Sequence, residues 1–357
     1  VKIQEKYIQR CLALAKNGLG TTYPNPLVGA VIVHEDRIIG EGWHHEAGKA
    51  HAEVNAIAQV KDESLLKEAT IYVSLEPCSH FGKTPPCCDL IIAKGIKKVV
   101  VGMVDPFEAV AGRGIKKLIE AGCQVQVGVL EEKCQELNKR FLTFHLKKRP
   151  HVILKWAQSS DGFLSPYAWP EKPKNQSPVW ITGAASKQLV HQWRAQEQAI
   201  MIGSKTALAD NPQLNTRLWA GSNPYRILLD PDLEVSENHQ ILKDGCSTLV
   251  LHRSNLTPKL NSSALEYQAL DEEKDLAKQI LEILYKKGVQ SLIIEGGRLT
   301  LQTFIDQGLW DEARIFSGAT HFGKGTPAPH IGGKLENEQK INSDFLKLVK
   351  NDKKLSL

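Results

Sequence analysis

The chain has no apolar run near the roughly 18 residues that a membrane span needs; runs such as VVVGMV, Val99 to Val104, stop far short of it. Its opening stretch, VKIQEKYIQR, has no signal-peptide core, so a cytoplasmic location is expected. Aromatic residues are scarce at 6%, and the formal net charge is only +5 with acids and bases interspersed. That balance argues against a nucleic-acid coat or a membrane-surface protein and leaves small anionic ligands open. Internal repeats and low-complexity tracts are missing. The seven cysteines are odd in number and scattered, unlike a disulfide framework. Only Cys78, Cys87 and Cys88 cluster, which in a reducing compartment favours metal or catalytic use.

What is present is a 42% hydrophobic, 24% charged chain of 357 residues, too long for one core at about 150 residues per domain. Up to about residue 147, strand-like and helix-like periods alternate. Ile3, Tyr7, Ile8, Cys11, Leu12 and Ala15 share one helical face, and LVGAVIV and RIIGEGW follow as a hairpin. HAEVNAIAQV, CCDLIIAKG and GRGIKKLIEAG read as helices, with TIYVSL, KKVVVGMV and CQVQVGVL as strands. Such alternation predicts an α/β domain whose sheet is covered on both faces. Pro150 ends the preceding helix and a strand signal restarts at HVILKWA, which sets domains at 1–147 and 148–357. The second is also α/β, with helices near 184–195, 272–286 and 299–307 and strands near 198–203, 225–230, 247–252, 289–294 and 312–318. Proline-rich 165–178 reads as an active-site loop or lid.

One constellation in the first domain carries metal chemistry. His51-Ala52-Glu53 opens a helix, and Glu76-Pro77-Cys78 closes a strand that runs into a loop ending at Pro86-Cys87. One imidazole and two thiolates suit Zn2+, and three protein ligands leave the fourth tetrahedral position for water. Such an ion brings the water pKa towards 7, and Glu53 can shuttle its proton to a ring nitrogen and a departing amine, which is hydrolytic deamination. Zinc nucleobase deaminases carry H-x-E with P-C-x-x-C; here SHFGKTPP separates the two cysteines instead of two residues. Cys88 competes with Cys87 for the ligand role, but Cys87 follows Pro-Pro at the helix start, where the dipole favours a thiolate. A closed structural zinc with His80 or Cys88 as fourth ligand is the alternative.

Tyr23-Pro24-Asn25-Pro26-Leu27-Val28-Gly29, His44, Gly48, His51-Ala52-Glu53 and EPCSHFGKTPPC resemble the deaminase half of the bifunctional riboflavin-biosynthesis family called RibD. The resemblance implies a cytidine-deaminase-like α/β/α sandwich acting on 2,5-diamino-6-ribosylamino-4(3H)-pyrimidinone 5′-phosphate, with Glu53 catalytic and His51, Cys78 and Cys87 on the metal. It also implies substrate contacts from Asn25, His44, His80, Lys83, Thr84 and Asp105. A ribose phosphate could use the cation and donors of His80, Lys83 and Thr84, or these could be solvated loop residues; Asn25 could read the heterocycle or initiate the Asn-Pro turn. After Asp105-Pro106 the family usually has Asn-Pro, and here Phe107-Glu108 departs from it.

The second half lacks a G-x-G-x-x-G after a strand, so a Rossmann cofactor site is not expected. SLIIEGGRLTLQTFIDQG does place two glycines between strand and helix, where backbone N–H groups could approach a phosphate. That stretch, with KWAQSSDGFL, WITG, HQWRAQ and IMIGSKTALADNPQLNTR, resembles the reductase half of the same family, so the likeness spans about residues 1–333. It implies a dihydrofolate-reductase-like α/β domain that holds NADPH and passes hydride to C1′ of the ribose, giving 5-amino-6-ribitylamino-uracil 5′-phosphate. Cofactor positions carry over to Ala157, Trp180, Thr206, Asp210, Gly297, Arg298, Leu299, Thr300, Leu301, Gln302 and Thr303; substrate positions to Arg194, Leu214, Arg217 and Glu295. Two arginines can clamp a phosphate, while Lys155 and Glu295 could polarise or protonate the opening sugar. Blander roles stay open: Arg194 a solvated helix charge, Asp210 a cap for the Asn-Pro turn, Trp180 core packing. Ser160, Gly183 and the charged tail after Gly333 depart from the family.

The expectation is therefore a two-step enzyme with Zn2+ and NADPH, a small phosphorylated pyrimidine as substrate and, as is usual for such a family, assembly as a homodimer or higher homo-oligomer. A tRNA or DNA base deaminase with an accessory domain would need a basic, aromatic-studded surface, and a zinc-stabilised interaction protein would need a closed four-ligand site.

Overall fold

A computed structural model describes residues 3–79, 85–106, 112–168, 179–258 and 260–352. It divides into two compact units, 1–148 and 149–357.

The first unit runs α1 (Ile3–Ala15), β1 (Gly29–His34), β2 (Arg37–Trp43), α2 (Ala52–Ala58), β3 (Thr70–Leu75), α3 (Cys87–Ala93), β4 (Lys98–Met103), α4 (Arg113–Glu120), β5 (Gln124–Val127), α5 (Glu131–Leu137) and α6 (Lys139–Lys147). Its sheet has the order β2-β1-β3-β4-β5, antiparallel from β2 to β3 and parallel from β3 to β5. Period-2 alternation on the apolar central strands sends side chains to two cores. Ala30, Ile32, Ile71, Val73, Val99 and Val101 meet Ala56, Ile91 and Leu118 on one face. Val31, Val33, Tyr72, Val100 and Met103 meet Tyr7, Ile8, Cys11 and Leu12 on the other. Each fully buried aliphatic side chain contributes about 1.5–3 kcal/mol, so the three layers hold without a disulfide; every cysteine is reduced. Contrary to the sequence pattern, Ile3 is 44% exposed, while Leu14 is buried. The expected last strand is shorter than CQVQVGVL and stops at Val127, where Gly128 has φ 89°.

The second unit runs β6 (His151–Gln158), β7 (Phe163–Ser165), α7 (Ala184–Gln196), β8 (Ala199–Gly203), α8 (Ser204–Asp210), β9 (Tyr225–Leu229), α9 (Gln240–Lys243), β10 (Thr248–Arg253), β11 (Leu265–Leu270), α10 (Leu276–Lys286), β12 (Ser291–Ile294), α11 (Arg298–Asp306), β13 (Glu312–Ser317), β14 (Thr326–Pro327), β15 (Lys334–Ile341) and β16 (Asp344–Lys350). Its large sheet has the order β11-β10-β9-β8-β12-β6-β13-β16-β15. The strands are parallel from β11 to β13, and β16 and β15 add an antiparallel hairpin. Helices α10 and α11 pack on one face through Ile280, Leu284, Leu301 and Phe304, and α7 on the other through Val190 and Trp193.

Three local differences from the sequence pattern stand out. Helix α10 starts at Leu276 rather than near 272. The tail after Gly333, unmatched by any pattern, is a hairpin of two strands. Of the proline-rich lid, 169–178 lies outside the described residues, and its start belongs to β7, which pairs with β14. Among the described residues no helix is long and apolar enough to cross a membrane.

Candidate active sites

The first site lies where the C-terminal end of β3 meets the starts of α2 and α3. His51 is the extended residue that precedes α2, Cys78 follows β3, and Cys87 is the first residue of α3. One ligand atom from each lies within 4.8 Å of the others, the only such group of three His, Cys or acidic residues found among the described residues. His51 Nδ1 stands 3.6 Å from Cys78 Sγ and 3.4 Å from Cys87 Sγ, and the Cys87 amide donates to Cys78 Sγ at 3.2 Å. Hydrogen bonding from Cys87, opposed by burial and helped by His51, brings the Cys78 thiol down to about 4. An imidazole nitrogen and two sulfurs form a donor set that fits zinc. Cys88 is not in this cluster: its thiol faces the carbonyls of Pro77 and Gly114 at 3.2 and 3.5 Å.

Glu53, in the first turn of α2, is buried beside this set; burial first, then the Cys78 charge, pushes its carboxyl up to about 7. A carboxyl of that pKa can both accept and return a proton near neutral pH.

The flanking wall is built from hydrogen bonds. His44 Nδ1 lies 3.1 Å from the Ala50 carbonyl and its Nε2 3.0 Å from Asn25 Nδ2. The ring therefore donates through Nδ1 and accepts from Asn25, and burial lowers its pKa, keeping it neutral. The rings of His44 and His51 meet edge to face at 5.2 Å. The Asn25 loop is clamped from far along the chain: the Leu27 amide donates to Asn138 Oδ1 at 2.8 Å, and Asn138 Nδ2 donates to the Leu27 carbonyl at 3.0 Å. Neither Asn138 nor Glu76 is given a role by the sequence; Glu76 sits in the Glu-Pro-Cys string, whereas nothing local marks Asn138. Asp105 is buried, its amide donating to Glu76 at 3.2 Å. His80, Lys83, Thr84 and Phe107 lie outside the described residues.

The second site lies at the C-terminal edge of the parallel strands. The β12–β6 register pairs Ile294 with Leu154, so Glu295 and Lys155 follow as neighbours. Lys155 Nζ donates to Glu295 Oε2 at 3.3 Å, and Arg194, from α7, donates to both oxygens at 2.9 and 2.8 Å. Burial would raise the Glu295 carboxyl, but Arg194 and Lys155 hold it at about 2. Burial lowers the Lys155 pKa against the upward pull of Glu295. Arg194 is thus no solvated helix charge.

The Asn215 carbonyl accepts from Arg194 at 3.2 Å, and its side chain accepts from exposed Arg217 at 2.9 Å. Leu214, just before it, is buried with φ 55°. His191, one turn before Arg194, is buried and pushed down to about 4 by burial and then by Arg194 and Arg217. Neither Asn215 nor His191 was singled out from the sequence.

Beside this triad, two helices start from adjacent strands, α8 from β8 and α11 from β12. A Cβ on Gly203 would come within 2.7 Å of Thr300 Oγ1, and one on Gly296 within 2.9 Å of Thr206 Cγ2. Gly297, with φ 75°, approaches the hydroxyls of both threonines. The glycines thus let the two helix starts close around the side chains of Thr206 and Thr300, and a cradle of helix N-termini and two hydroxyls suits a phosphate group of a nucleotide cofactor. Arg298 and exposed Leu299 open α11, and Asp210 is exposed at the end of α8.

Other carried-over positions look elsewhere. Leu301 is in the core, Thr303 Oγ1 donates to Leu299 O at 2.9 Å, and Gln302 is bonded to the backbone of His330. Ala157 is half-buried near the end of β6. Trp180 is 60% exposed with Lys187 Nζ 3.4 Å above its ring, which rules out core packing.

The departures at 160 and 183 have structural partners. The Ser160 amide donates to the Thr320 carbonyl at 2.8 Å. The Gly183 amide and Ser186 hydroxyl, at the start of α7, both donate to Asp344 Oδ2, at 2.9 and 2.6 Å. The tail hairpin thereby caps α7.

Comparison with known proteins finds two family models on this chain. Residues 1–103 match the family model of the cytidine and deoxycytidylate deaminase zinc-binding region, and residues 150–355 that of the RibD C-terminal domain. The chain is 39% identical over 333 residues to the riboflavin biosynthesis protein RibD of Aquifex aeolicus, covering 93% of this chain and 91% of the relative. It is 36% identical to RibD of Escherichia coli, covering 87% and 86%. Among solved structures, a diaminohydroxyphosphoribosylaminopyrimidine deaminase/5-amino-6-(5-phosphoribosylamino)uracil reductase from Thermotoga maritima superposes with a TM-score of 0.86 at 35% identity, covering 98% of this chain and 99% of that one. Acinetobacter baumannii RibD, form 1, gives 0.85 at 32%, covering 99% of each.

Proposed function

The chain belongs to the RibD family, a bifunctional deaminase and reductase of riboflavin biosynthesis, and on that premise we propose how its two halves divide the chemistry. Residues 1–147 deaminate 2,5-diamino-6-ribosylamino-4(3H)-pyrimidinone 5′-phosphate. Residues 148–357 then reduce the ribosyl group to ribityl, giving 5-amino-6-ribitylamino-uracil 5′-phosphate. The observation that carries the reading is the approach of His51, Cys78 and Cys87 to within 4.8 Å, beside buried Glu53, in a chain whose other half matches the reductase family model.

In the first half, His51 Nδ1 and the sulfurs of Cys78 and Cys87 would hold Zn2+, which supplies a water acidic enough to ionise near neutral pH. The Glu53 carboxylate takes one proton from the attacking water and passes it to the ring nitrogen, then takes the second from the hydroxyl added to the ring carbon and passes it to the leaving amine as the carbonyl forms. Asn25, His44 and Asp105 border the heterocycle, with His44 held neutral as an acceptor for Asn25. His80, Lys83 and Thr84 serve the ribose phosphate.

In the second half, NADPH would supply the hydride, its phosphates lying in the cradle of Gly203, Gly296, Gly297, Thr206 and Thr300, and its remaining contacts coming from Ala157, Trp180, Asp210 and the start of α11. Arg194 and Arg217, joined through Asn215, face the substrate phosphate. Glu295, ionised throughout the physiological range, keeps the Lys155 ammonium charged, so that Lys155 Nζ can protonate the ring oxygen as the sugar opens.

Both activities are tested on one preparation. Ammonia release from the diamino substrate should need bound zinc, and the deaminated intermediate should oxidise NADPH, read at the nicotinamide absorbance band. Absence of oxidation with authentic intermediate removes the reductase assignment.

A further inference from the structure

Glu76 is only 4% exposed, and no side-chain cation pairs with it among the described residues. Its own amide continues the β3–β4 ladder to the Met103 carbonyl at 2.9 Å, so its backbone is fixed two residues before Cys78. Its carboxylate reaches across to a different stretch of chain. Oε2 accepts from the amides of Asp105 and Gly112 at 3.2 and 3.0 Å, and Oε1 from those of Gly114 and Ile115 at 2.8 and 3.3 Å. Two of these amides belong to the first turn of α4, whose N-terminal dipole favours the negative charge.

A single carboxylate therefore holds both ends of the segment from Asp105 to Gly112 against the strand that delivers a metal ligand. The fit is close. A Cβ on Gly114 would lie 2.1 Å from the Pro77 carbonyl and 3.1 Å from Cys88 Sγ, so the start of α4 has no room to slide along the Pro77 turn. Cys78 and Cys87, in contrast, are bound to each other and to His51 without Glu76.

We propose that Glu76 is a positioning residue of the deaminase, setting the place of the Asp105 loop relative to the metal ligands and so the binding of substrate. The inference rests on the reading above that Asp105 borders the substrate. A carboxamide in the same place keeps one acceptor oxygen and turns an N–H2 towards amides that need acceptors, so Glu76→Gln breaks the staple with little change of volume.

The experiment uses the full chain and measures ammonia release, zinc content and reduction of the deaminated intermediate for Glu76→Gln, Glu76→Asp and Asp105→Ala. The Gln variant is expected to raise the deaminase KM by about tenfold or more, as loss of charge-assisted hydrogen bonds implies. Its kcat should stay within about threefold, its zinc should remain stoichiometric and its reductase rate should be unchanged. The Asp variant, which keeps the charge on a shorter arm, should fall between Gln and the natural residue. An unchanged KM in Glu76→Gln with a raised KM in Asp105→Ala overturns the proposal alone; a natural KM in Asp105→Ala overturns the reading beneath it. Zinc loss in both Glu76 variants also overturns the proposal, because the carboxylate would then serve the metal-bearing strand and not the loop. If the Gln chain does not fold, the Asp chain carries the same test, with a raised KM and retained zinc as the supporting result.

Discussion

The two candidate sites solve different electrostatic problems. In the first unit, one imidazole and two sulfurs converge within a short stretch, from His51 to Cys87, beside Glu53, whose carboxyl is pushed up to about 7 by burial and then by the Cys78 charge. In the second, oppositely charged groups meet under cover, and Glu295 is held at about 2 by two cations drawn from 101 and 140 residues away. On the proposed reading, one site moves its protons through a carboxyl poised near neutral, whereas the other sets a fixed anion beside the lysine that gives up a proton. The difference teaches that burial alone does not decide a carboxylate's state: what shares the cavity decides it.

The largest effects should come from exchanging losses between the halves. Glu53→Ala should remove ammonia release by about 10²–10⁴-fold, the range of general acid–base catalysis, with zinc bound and reduction of the intermediate intact. Lys155→Met should do the reverse, and a variant that damages both activities equally would break the division. Next in size is metal retention: Cys87→Ser should lose zinc on dialysis and deaminase activity with it, while Cys88→Ser should keep both, read by metal analysis.

A subtler contrast concerns pH. Burial lowers the Lys155 pKa and Glu295 opposes it. Removing that anion in Glu295→Gln lets the ammonium lose its proton at lower pH, so the basic limb of the reductase kcat/KM profile should move down while the deaminase profile stays put; an unmoved limb argues against Lys155 as the proton donor. The smallest effect should be Asp344→Ala, which strips two hydrogen bonds from the start of α7. At about 1 kcal/mol for a lost cap, and about 2–4 °C per kcal/mol in a domain of this size, the reductase should inactivate a few degrees earlier than in the parent, with the deaminase unchanged.

The same contrast explains what the sequence disclosed. Metal coordination demands rare residue types at short spacing, so His51, Glu53, Cys78 and Cys87 announce themselves before any fold is known. An arginine, a lysine and a glutamate are ordinary surface residues until two strands and a helix bring them under cover, and only family resemblance singled out Arg194 and Glu295. The central strands were legible because β1, β3 and β4 are apolar on both faces. The tail was not, because β15 is an exposed edge strand in which Lys334, Glu336, Glu338 and Lys340 alternate with positions that include polar Asn337 and Gln339, leaving no apolar face to read. Asn138 and Glu76 act on backbone groups distant in the chain, and Asn215 offers its own carbonyl to the Arg194 side chain; such pairings leave no local periodicity to read.

Asn138 carries a consequence for biogenesis. During synthesis from the N-terminus, the metal-binding residues have all emerged well before the side chain that fastens Leu27, which is 111 residues downstream of it. On the proposed reading, the residues that would hold the ion are translated before the one that fastens the Asn25 loop, so a chain stopped short of residue 138 would lack both bonds of the Leu27 clamp.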